Sequence, residues 1–187
     1  THAYAVSFND FFGSSVDVKN NFMHGRNNDV GVNNVPNSIE NNVIINFARG
    51  ITMRPGTRVV NNVIMKAREY AIYTRHPLTT AHVNYNCFYN NGTLTNDTAL
   101  FNPDTTIYYT ADPMFENQDS NNFLLQMFSP LIDAGDPNIL DVDGTRSDVG
   151  LHGGPNGQSY EYKDLPPRRP KITSATKIKN EVNFQWR

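Results

Sequence analysis

The chain has 187 residues, of which 38% are hydrophobic, which is enough apolar side chain for a packed core. Its 16 basic and 18 acidic residues give a formal net charge of −2, which argues against binding to nucleic acid or to an anionic membrane surface. The sequence contains no apolar run long enough for a transmembrane span, and its single cysteine, Cys87, excludes an internal disulfide.

From the amino end, an asparagine followed by an apolar strand recurs as Asn21, Asn42, Asn62 and Asn86, with steps of 21, 20 and 24 residues. A period of this length fits one turn of a β-solenoid and is too short for most helical repeats. In such a fold, equivalent strands stack in parallel about 4.8 Å apart. We therefore expect the four asparagines to stack and to hydrogen-bond one another through their side-chain amides.

Each repeat carries a second short strand about ten residues after its asparagine. These strands are residues 30–33, 51–54 and 72–75, and residues 6–9 fit as the end of an earlier turn. Aligned end to end, they place Asn33, Arg54 and Arg75 in one outward column. Tyr73 lies two residues before Arg75, and His76 follows it.

We interpret this column as a binding surface for an anionic sugar such as a uronate. In this interpretation Arg54 and Arg75 bind the carboxylate, Asn33 contributes to the surface, and Tyr73 stacks on the sugar ring. The alternative is a solvated surface on which the two arginines pair with nearby acids. The column therefore gives the candidate substrate-binding residues but leaves these two interpretations open.

Arg75, His76 and Tyr73 are also the candidates for catalysis. Cleavage of a uronan by β-elimination needs a base near C5 and neutralisation of the carboxylate, often by Ca²⁺. Hydrolysis needs two carboxylates flanking the glycosidic bond, and the acids of the repeats offer no aligned pair. The sequence thus leaves open whether the chain is an enzyme, and it favours a polysaccharide lyase over a glycoside hydrolase.

From Asp112 the repeat gives way to a different pattern, here called the terminal segment (residues 112–157). It reads DPMF at 112–115, SPLIDAGDP at 129–137, DVDGTRSDVG at 141–150 and GGP at 153–155. This pattern resembles the stretch that ends the helix in bacterial right-handed parallel β-helix proteins of pectate-lyase-like fold. A departure is Leu151-His152, where that family usually has Ala-Tyr.

The resemblance implies that residues 1–157 are the C-terminal turns and cap of such a β-helix, with further turns before Thr1. It also implies a bacterial protein that is secreted to the extracellular space or the cell surface. Members of the family include lyases, hydrolases, epimerases and adhesins, so the resemblance predicts the fold and does not select an activity.

The terminal segment contains one candidate metal site. Asp141, Asp143 and Asp148 surround the turn residue Gly144, which resembles a Ca²⁺-binding loop. Aspartates also cap turns and pair with arginines such as Arg146, so a purely structural turn is the alternative. Ca²⁺ is the one cofactor that the sequence suggests.

The composition changes again after Gly157. Residues 158–170 read as a Pro-rich linker, and residues 171–187 contain two short alternating strands, the second ending in Trp186. This pattern resembles the first strands of a fibronectin type III-like domain, which would make it a truncated β-sandwich.

Taken together, these patterns predict an all-β chain: a right-handed parallel β-helix with rungs of about 21 residues, a C-terminal cap and a partial β-sandwich-like segment. Its expected function is to bind, and in the enzymatic alternative to cleave, an extracellular acidic polysaccharide along the flank of the β-helix. The other alternative is a non-enzymatic structural, adhesin or filament subunit. In that case the solenoid is a rigid rod, and its terminal strands pair with a second copy of the chain.

Overall fold

The computed structural model describes residues 4–7, 15–78, 82–101, 106–165, 172–178 and 181–186. Within these residues the chain is all-β, with eighteen short strands and two single-turn 3-10 helices, Thr98–Leu100 and Gln118–Ser120. The strands that precede residue 110 form three parallel sheets, and the later strands form two antiparallel pairs.

Three sheets, here called A, B and C, make up the walls of the fold. Sheet A contains β1 (Tyr4–Ser7), β4 (Val30–Asn33), β7 (Arg49–Met53), β10 (Tyr70–Thr74) and β13 (Thr93–Thr95). Sheet B contains β2 (Asp17–Lys19), β5 (Ser38–Glu40), β8 (Arg58–Val60) and β11 (His82–Asn84). Sheet C contains β3 (Phe22–His24), β6 (Val43–Ile45), β9 (Val63–Met65), β12 (Asn86–Tyr89) and β14 (Tyr108–Tyr109).

The chain passes through sheets B, C and A in turn and then repeats this path, so it forms a parallel β-solenoid of about four turns. The register shows the length of each turn directly. Val43 lies opposite Val63, and Val63 lies opposite Cys87, so that successive turns take 20 and 24 residues. The predicted all-β solenoid with rungs of about 21 residues is therefore confirmed.

Stacked aliphatic side chains fill the interior of the solenoid. Ile39, Ile44, Ile51, Ile64 and Ile72 are each at most 1% exposed and belong to one apolar cluster. β-Branched side chains pack well on the pleated surface of stacked strands. Each side chain of this size contributes about 1.5 to 3 kcal/mol when it is fully buried, so the interior holds the turns together without disulfides.

The recurring asparagine forms the predicted ladder at the corner between sheets B and C. The backbone and side-chain nitrogens of Asn42 donate to Oδ1 of Asn62 at 3.0 and 2.9 Å. Asn62 makes the same two bonds to Oδ1 of Asn86, again at 3.0 and 2.9 Å, and Asn21 extends the ladder to Asn42. The ladder thus satisfies a row of buried polar groups.

The residue before each ladder asparagine turns the chain from sheet B to sheet C. Asn20, Asn41 and Asn61 have φ angles of 50°, 52° and 56°, and Tyr85 holds the same position in the fourth turn at 55°. Asparagine tolerates this left-handed conformation better than most residues. In each Asn-Asn pair, the first residue therefore forms the turn in the left-handed conformation, and the second forms the hydrogen bonds of the ladder.

The terminal segment lies along the flank of the solenoid and covers the outer surface of sheet C. Its strands β15 (Phe115–Asn117) and β16 (Asn122–Leu125) form an antiparallel pair. Side chains from both parts meet in a second apolar cluster. That cluster includes Val43, Val63 and Cys87 of sheet C together with Phe115, Phe123, Leu131 and Val149 of the terminal segment.

The left-handed asparagines hold the terminal segment in place with hydrogen bonds. Nδ2 of Asn20 donates to the carbonyl of Leu151 at 2.8 Å, and Nδ2 of Asn41 donates to the carbonyl of Asp148 at 2.9 Å. The backbone nitrogen of Asp136 donates to Oδ1 of Asn61 at 2.8 Å. The sequence predicts a cap at the end of the helix, and in the structure this segment runs beside three successive turns.

Strands β17 (Ile172–Ile178) and β18 (Glu181–Trp186) form an antiparallel pair, as expected from their alternating pattern. Their assignment to a fibronectin type III-like domain stays a prediction. Of the predicted linker, residues 166–170 lie outside the described residues.

Candidate functional site

A cavity of about 350 Å³ opens at the carboxyl ends of strands β4, β7 and β10 in sheet A. It contains four of the five residues that the sequence predicted for sugar binding or catalysis. Its described lining residues are Asn33, Asn34, Met53, Arg54, Pro55, Arg75, His76 and Leu78. The cavity is therefore the candidate ligand site of the chain.

Arg54 and Arg75 reach the cavity from equivalent positions in neighbouring turns. Met53 pairs with Thr74 across β7 and β10, and the two arginines are the residues that follow this pair. Arg54 is half-buried, whereas Arg75 and the neighbouring His76 are exposed. The described lining residues include two guanidinium groups and no carboxylate, so the cavity has the charge that attracts an anion.

Asn33 is one of the lining residues and is 4% exposed. Its Nδ2 donates to Oγ of Ser7 in the preceding turn at 3.1 Å. Its Oδ1 is buried and accepts no hydrogen bond. A buried acceptor without a donor is unusual in a folded protein.

Asn33 is not in register with the two arginines, which corrects the alignment made from the sequence. It pairs with Thr52, which pairs in turn with Tyr73. The cause is a longer corner between sheets C and A in the first turn. His24 to Val30 spans six positions, whereas the equivalent stretch from Ile45 to Arg49 spans four. Asn33 is the last residue of β4, and Arg54 and Arg75 directly follow the last residues of β7 and β10. All three therefore reach the same cavity.

Tyr73 is not among the described residues that line the cavity. Its ring lies under the guanidinium group of Arg49, with 3.9 Å between Cζ and the ring centroid, and 5.6 Å from the ring of Tyr70. Arg49 is also bound to Glu69, whose Oε2 accepts from Nε at 3.1 Å. Arg49 therefore covers one face of the ring that was expected to stack on a sugar.

Four lining residues were not predicted from the sequence: Asn34 and the three apolar residues Met53, Pro55 and Leu78. Each of these apolar residues looks like an ordinary core or turn residue, because nothing in a single apolar side chain marks the wall of a cavity. Together they give the cavity an apolar surface beside its two cations. Such a combination of apolar wall and few polar groups is typical of a small-molecule site.

The three aspartates of the predicted Ca²⁺ loop do not converge on one point. Oδ2 of Asp141 accepts from the backbone nitrogen of Asp148 at 3.0 Å, and Oδ1 of Asp143 accepts from the backbone nitrogen of Thr145 at 3.0 Å. The carboxylate of Asp148 accepts from the backbone nitrogen of Asp133 and from the hydroxyl of Tyr162. Across the described residues, no group of three or more His, Cys, Asp or Glu side chains could hold a metal ion.

These contacts favour a structural role for the three aspartates. Asp143 caps a turn through the backbone nitrogen of Thr145, whereas Asp141 and Asp148 accept from backbone nitrogens 7 and 15 residues away along the chain. Burial raises the pKa of Asp148 to about 6, assisted by the charges of Asp141 and Asp133 and opposed by its two hydrogen bonds. Burial also raises the pKa of Asp141 against the hydrogen bonds that it accepts. Arg146 was the expected cationic partner of these aspartates; its guanidinium donates instead to the carbonyls of Gly135 and Ala134, at 2.6 and 3.4 Å.

The chain matches no known family model, no curated protein and no solved structure. The fold and the cavity therefore carry the functional argument alone. Among the helices that the structure describes, none has the length and apolar character needed to cross a membrane.

Proposed function

We propose that this protein binds an acidic polysaccharide in the cavity at the carboxyl ends of strands β4, β7 and β10, and that it does so outside the cell. The observation that carries the proposal is the placement of Arg54 and Arg75 in one cavity whose described lining residues include no carboxylate. Two guanidinium groups at a spacing of one turn repel each other by roughly 1 kcal/mol in water. An anionic ligand between them removes this repulsion and gains charge-assisted hydrogen bonds.

A sugar fits the remaining surface of the cavity. The side chains of Met53, Pro55 and Leu78 offer an apolar wall for one face of a sugar ring. A volume of about 350 Å³ suits a single sugar unit of a longer chain.

If the bound glycan is cleaved, the cavity suits β-elimination better than hydrolysis. Hydrolysis requires a pair of carboxylates, which the described lining residues do not provide. In β-elimination a base removes the C5 proton of a uronate, a C4–C5 double bond forms, and the glycosidic oxygen leaves C4 and takes up a proton. Arg75 and His76 line the cavity and are the candidates for the base, whereas Tyr73 is not among the described lining residues.

The test is binding of the full chain to a panel of acidic and neutral polysaccharides, together with absorbance of unsaturated products. We expect acidic glycans alone to bind, and we expect the double substitution Arg54→Ala/Arg75→Ala to abolish binding. The matched control is Arg26→Ala/Arg68→Ala, which removes the same charge from two exposed arginines away from the cavity. Equal loss of binding in both double variants, or binding of neutral glycans only, would refute the proposal.

A second candidate function is that of a structural or adhesin subunit, and one observation favours it. Phe128 and Val142 of the terminal segment are 67% and 58% exposed, which is high for large apolar side chains. In this alternative the solenoid is a rigid rod that contacts a second copy of the chain. Light scattering over a concentration series distinguishes the two functions: concentration-dependent assembly that Phe128→Ser abolishes supports the structural candidate.

A further inference from the structure

A second cavity, of about 210 Å³, lies between the solenoid and the terminal segment. The solenoid contributes the ends of β3, β6 and β9, and the terminal segment contributes the turn that follows β15. Its described lining residues are Phe22, His24, Ile45, Asn46, Lys66, Gln118, Asp119, Asn121 and Phe123. None of them lines the cavity that contains Arg54 and Arg75.

Lys66 is an unusual residue for its place in the fold. It directly follows β9, and its φ angle of 57° lies in the left-handed region. Asn46 holds the equivalent position in the preceding turn with a φ of 62°, and Asn90 holds it in the following turn with a φ of 53°. The short side chain of asparagine suits this conformation, whereas that of lysine does not. Such a conflict between residue and backbone is typical of a functional position.

The second cavity contains two opposite charges that do not pair. Lys66 belongs to the solenoid and Asp119 to the terminal segment, and neither takes part in an ion pair with another residue that the structure describes. Lys66 is half-buried and Asp119 is exposed, so both side chains remain accessible. An anionic ligand would meet the charge of Asp119 and a cationic ligand that of Lys66, whereas a zwitterion is attracted by both.

The other polar side chains also suit a zwitterion. An ammonium group has several hydrogens and a carboxylate has several lone pairs, more than one aspartate and one lysine satisfy. Asn46, Gln118 and Asn121 each carry an amide, which has both donors and an acceptor and so serves either group in either orientation. A neutral sugar would use the same amides but would form weaker hydrogen bonds with the two charged residues.

We infer that the second cavity binds a free α-amino acid with an apolar side chain. The carboxylate of the ligand pairs with Lys66, its ammonium group pairs with Asp119, and its side chain lies against the half-buried ring of Phe22. A volume of about 210 Å³ is below that of most ligand pockets and limits the ligand to this size. The inference goes beyond the proposed function, because both the ligand and the lining residues differ.

The experiment titrates the isotope-labelled full chain with leucine and follows the backbone amide chemical shifts. We expect leucine to shift the amides of Asn46, Lys66 and Asp119, and methyl glucoside to shift none of them. Two analogues keep the leucine side chain and remove one charge: isocaproate lacks the ammonium group, and isoamylamine lacks the carboxylate. Each should bind about tenfold more weakly or worse, because the hydrogen bonds of one charged group are lost.

Two substitutions assign the two charges. Lys66→Asn introduces the residue of the neighbouring turns, so the midpoint of thermal unfolding should stay the same or rise, whereas a merely structural lysine would not weaken binding. Leucine should bind about tenfold more weakly to this variant and no better than isoamylamine. Asp119→Asn should abolish the preference for leucine over isocaproate. The control is Arg54→Ala/Arg75→Ala, which should leave the affinity for leucine within about twofold.

Four outcomes would overturn the inference. Equal affinities for leucine and its two analogues would show that neither charge contributes to recognition. Loss of leucine binding in Arg54→Ala/Arg75→Ala would place the ligand in the other cavity. Binding of methyl glucoside in place of leucine would make the ligand a neutral sugar, and a lack of any shift with leucine would exclude this ligand class. The binding of acidic polysaccharides is measured separately, so none of these outcomes decides the proposed function.

Discussion

Oδ1 of Asn62 accepts two hydrogen bonds from Asn42 of the preceding turn, one from the backbone nitrogen at 3.0 Å and one from Nδ2 at 2.9 Å. Nδ2 of Asn62 in turn donates to the carbonyls of Ile39 and Val60 and to Oδ1 of Asn86. Because Asn62 is fully buried, each of these groups would have no water to replace a lost partner. The ladder asparagine thus ties three turns together.

We predict that Asn62→Ala destabilises the fold by about 3 kcal/mol or more, because each buried polar group that loses its partner costs about 1 to 3 kcal/mol. Asn21→Ala is the matched control, since Asn21 has the same role at the exposed first rung. We expect that substitution to cost about 1 kcal/mol. Unfolding in urea measures both values, and similar losses at the two positions would contradict a cost that depends on burial.

The left-handed asparagine Asn41 gives a second prediction, about attachment of the terminal segment. Its Nδ2 donates to the carbonyls of Asp148 and Gly150 at 2.9 and 3.2 Å. Asn41→Asp keeps the shape and tolerates the positive φ, but it places a carboxylate oxygen against these two carbonyls. We expect a loss of about 2 to 4 kcal/mol at neutral pH and faster amide hydrogen exchange in residues 141–153.

Asn90→Asp provides the control for this experiment. Asn90 has a similar φ of 53°, is exposed, and makes no hydrogen bond to the described part of the terminal segment. Its substitution changes the same charge in the same backbone conformation, so stability should change by less than about 0.5 kcal/mol. If Asn90→Asp and Asn41→Asp had equal effects, the contact with the terminal segment would not be the cause.

The solenoid could be predicted from the sequence because its evidence is local and repeated. Each copy places an asparagine before apolar, β-branched residues, and stacking then follows from the period alone. The ladder of Asn42, Asn62 and Asn86 was predicted correctly for this reason. The role of the first asparagine in each pair was not predicted, because its partners lie far along the chain: Asn41 contacts Asp148, a separation of 107 residues.

The candidate site could be predicted only in part. Arg54, Arg75 and His76 were identified because charged residues after a strand are conspicuous, and all three line the cavity. The alignment of Asn33 was wrong by two positions, since a period of 21 assumes corners of equal length. Packing of Arg49 over Tyr73 depends on side-chain direction, which the repeat pattern does not contain.

The position of Tyr73 leads to a third prediction, about binding. Because its ring contacts Arg49 and lies outside the set of described cavity residues, we expect Tyr73→Ala to change the dissociation constant for an acidic oligosaccharide by less than about twofold. We expect Arg75→Ala to raise it tenfold or more, since a hydrogen bond to a charged group contributes about 1.5 to 3 kcal/mol. Isothermal titration calorimetry measures both. A larger effect from Tyr73→Ala would restore the stacking role first expected from the sequence.

The buried carboxyl of Asp148 gives a fourth prediction, about pH. Asp148 is 2% exposed, and burial raises its pKa to about 6 from an ordinary value of 3.8. Between these two pH values the folded protein keeps a proton that the unfolded chain releases, so raising the pH favours unfolding. The resulting loss of folding stability is complete above pH 6 and amounts to about 3 kcal/mol for a pKa shift of this size.

Asp148→Asn isolates this effect, because the amide is isosteric and does not titrate. We expect the stability of the wild type relative to Asp148→Asn to fall by about 2.5 kcal/mol as the pH rises from 4 to 7. The control is Asp143→Asn, because hydrogen bonds from Thr145 lower the pKa of this exposed carboxyl. Stability contributed by Asp143 should instead be lost as the pH falls. A stability difference between wild type and Asp148→Asn that does not change with pH would show that Asp148 is ionised in the fold at no cost.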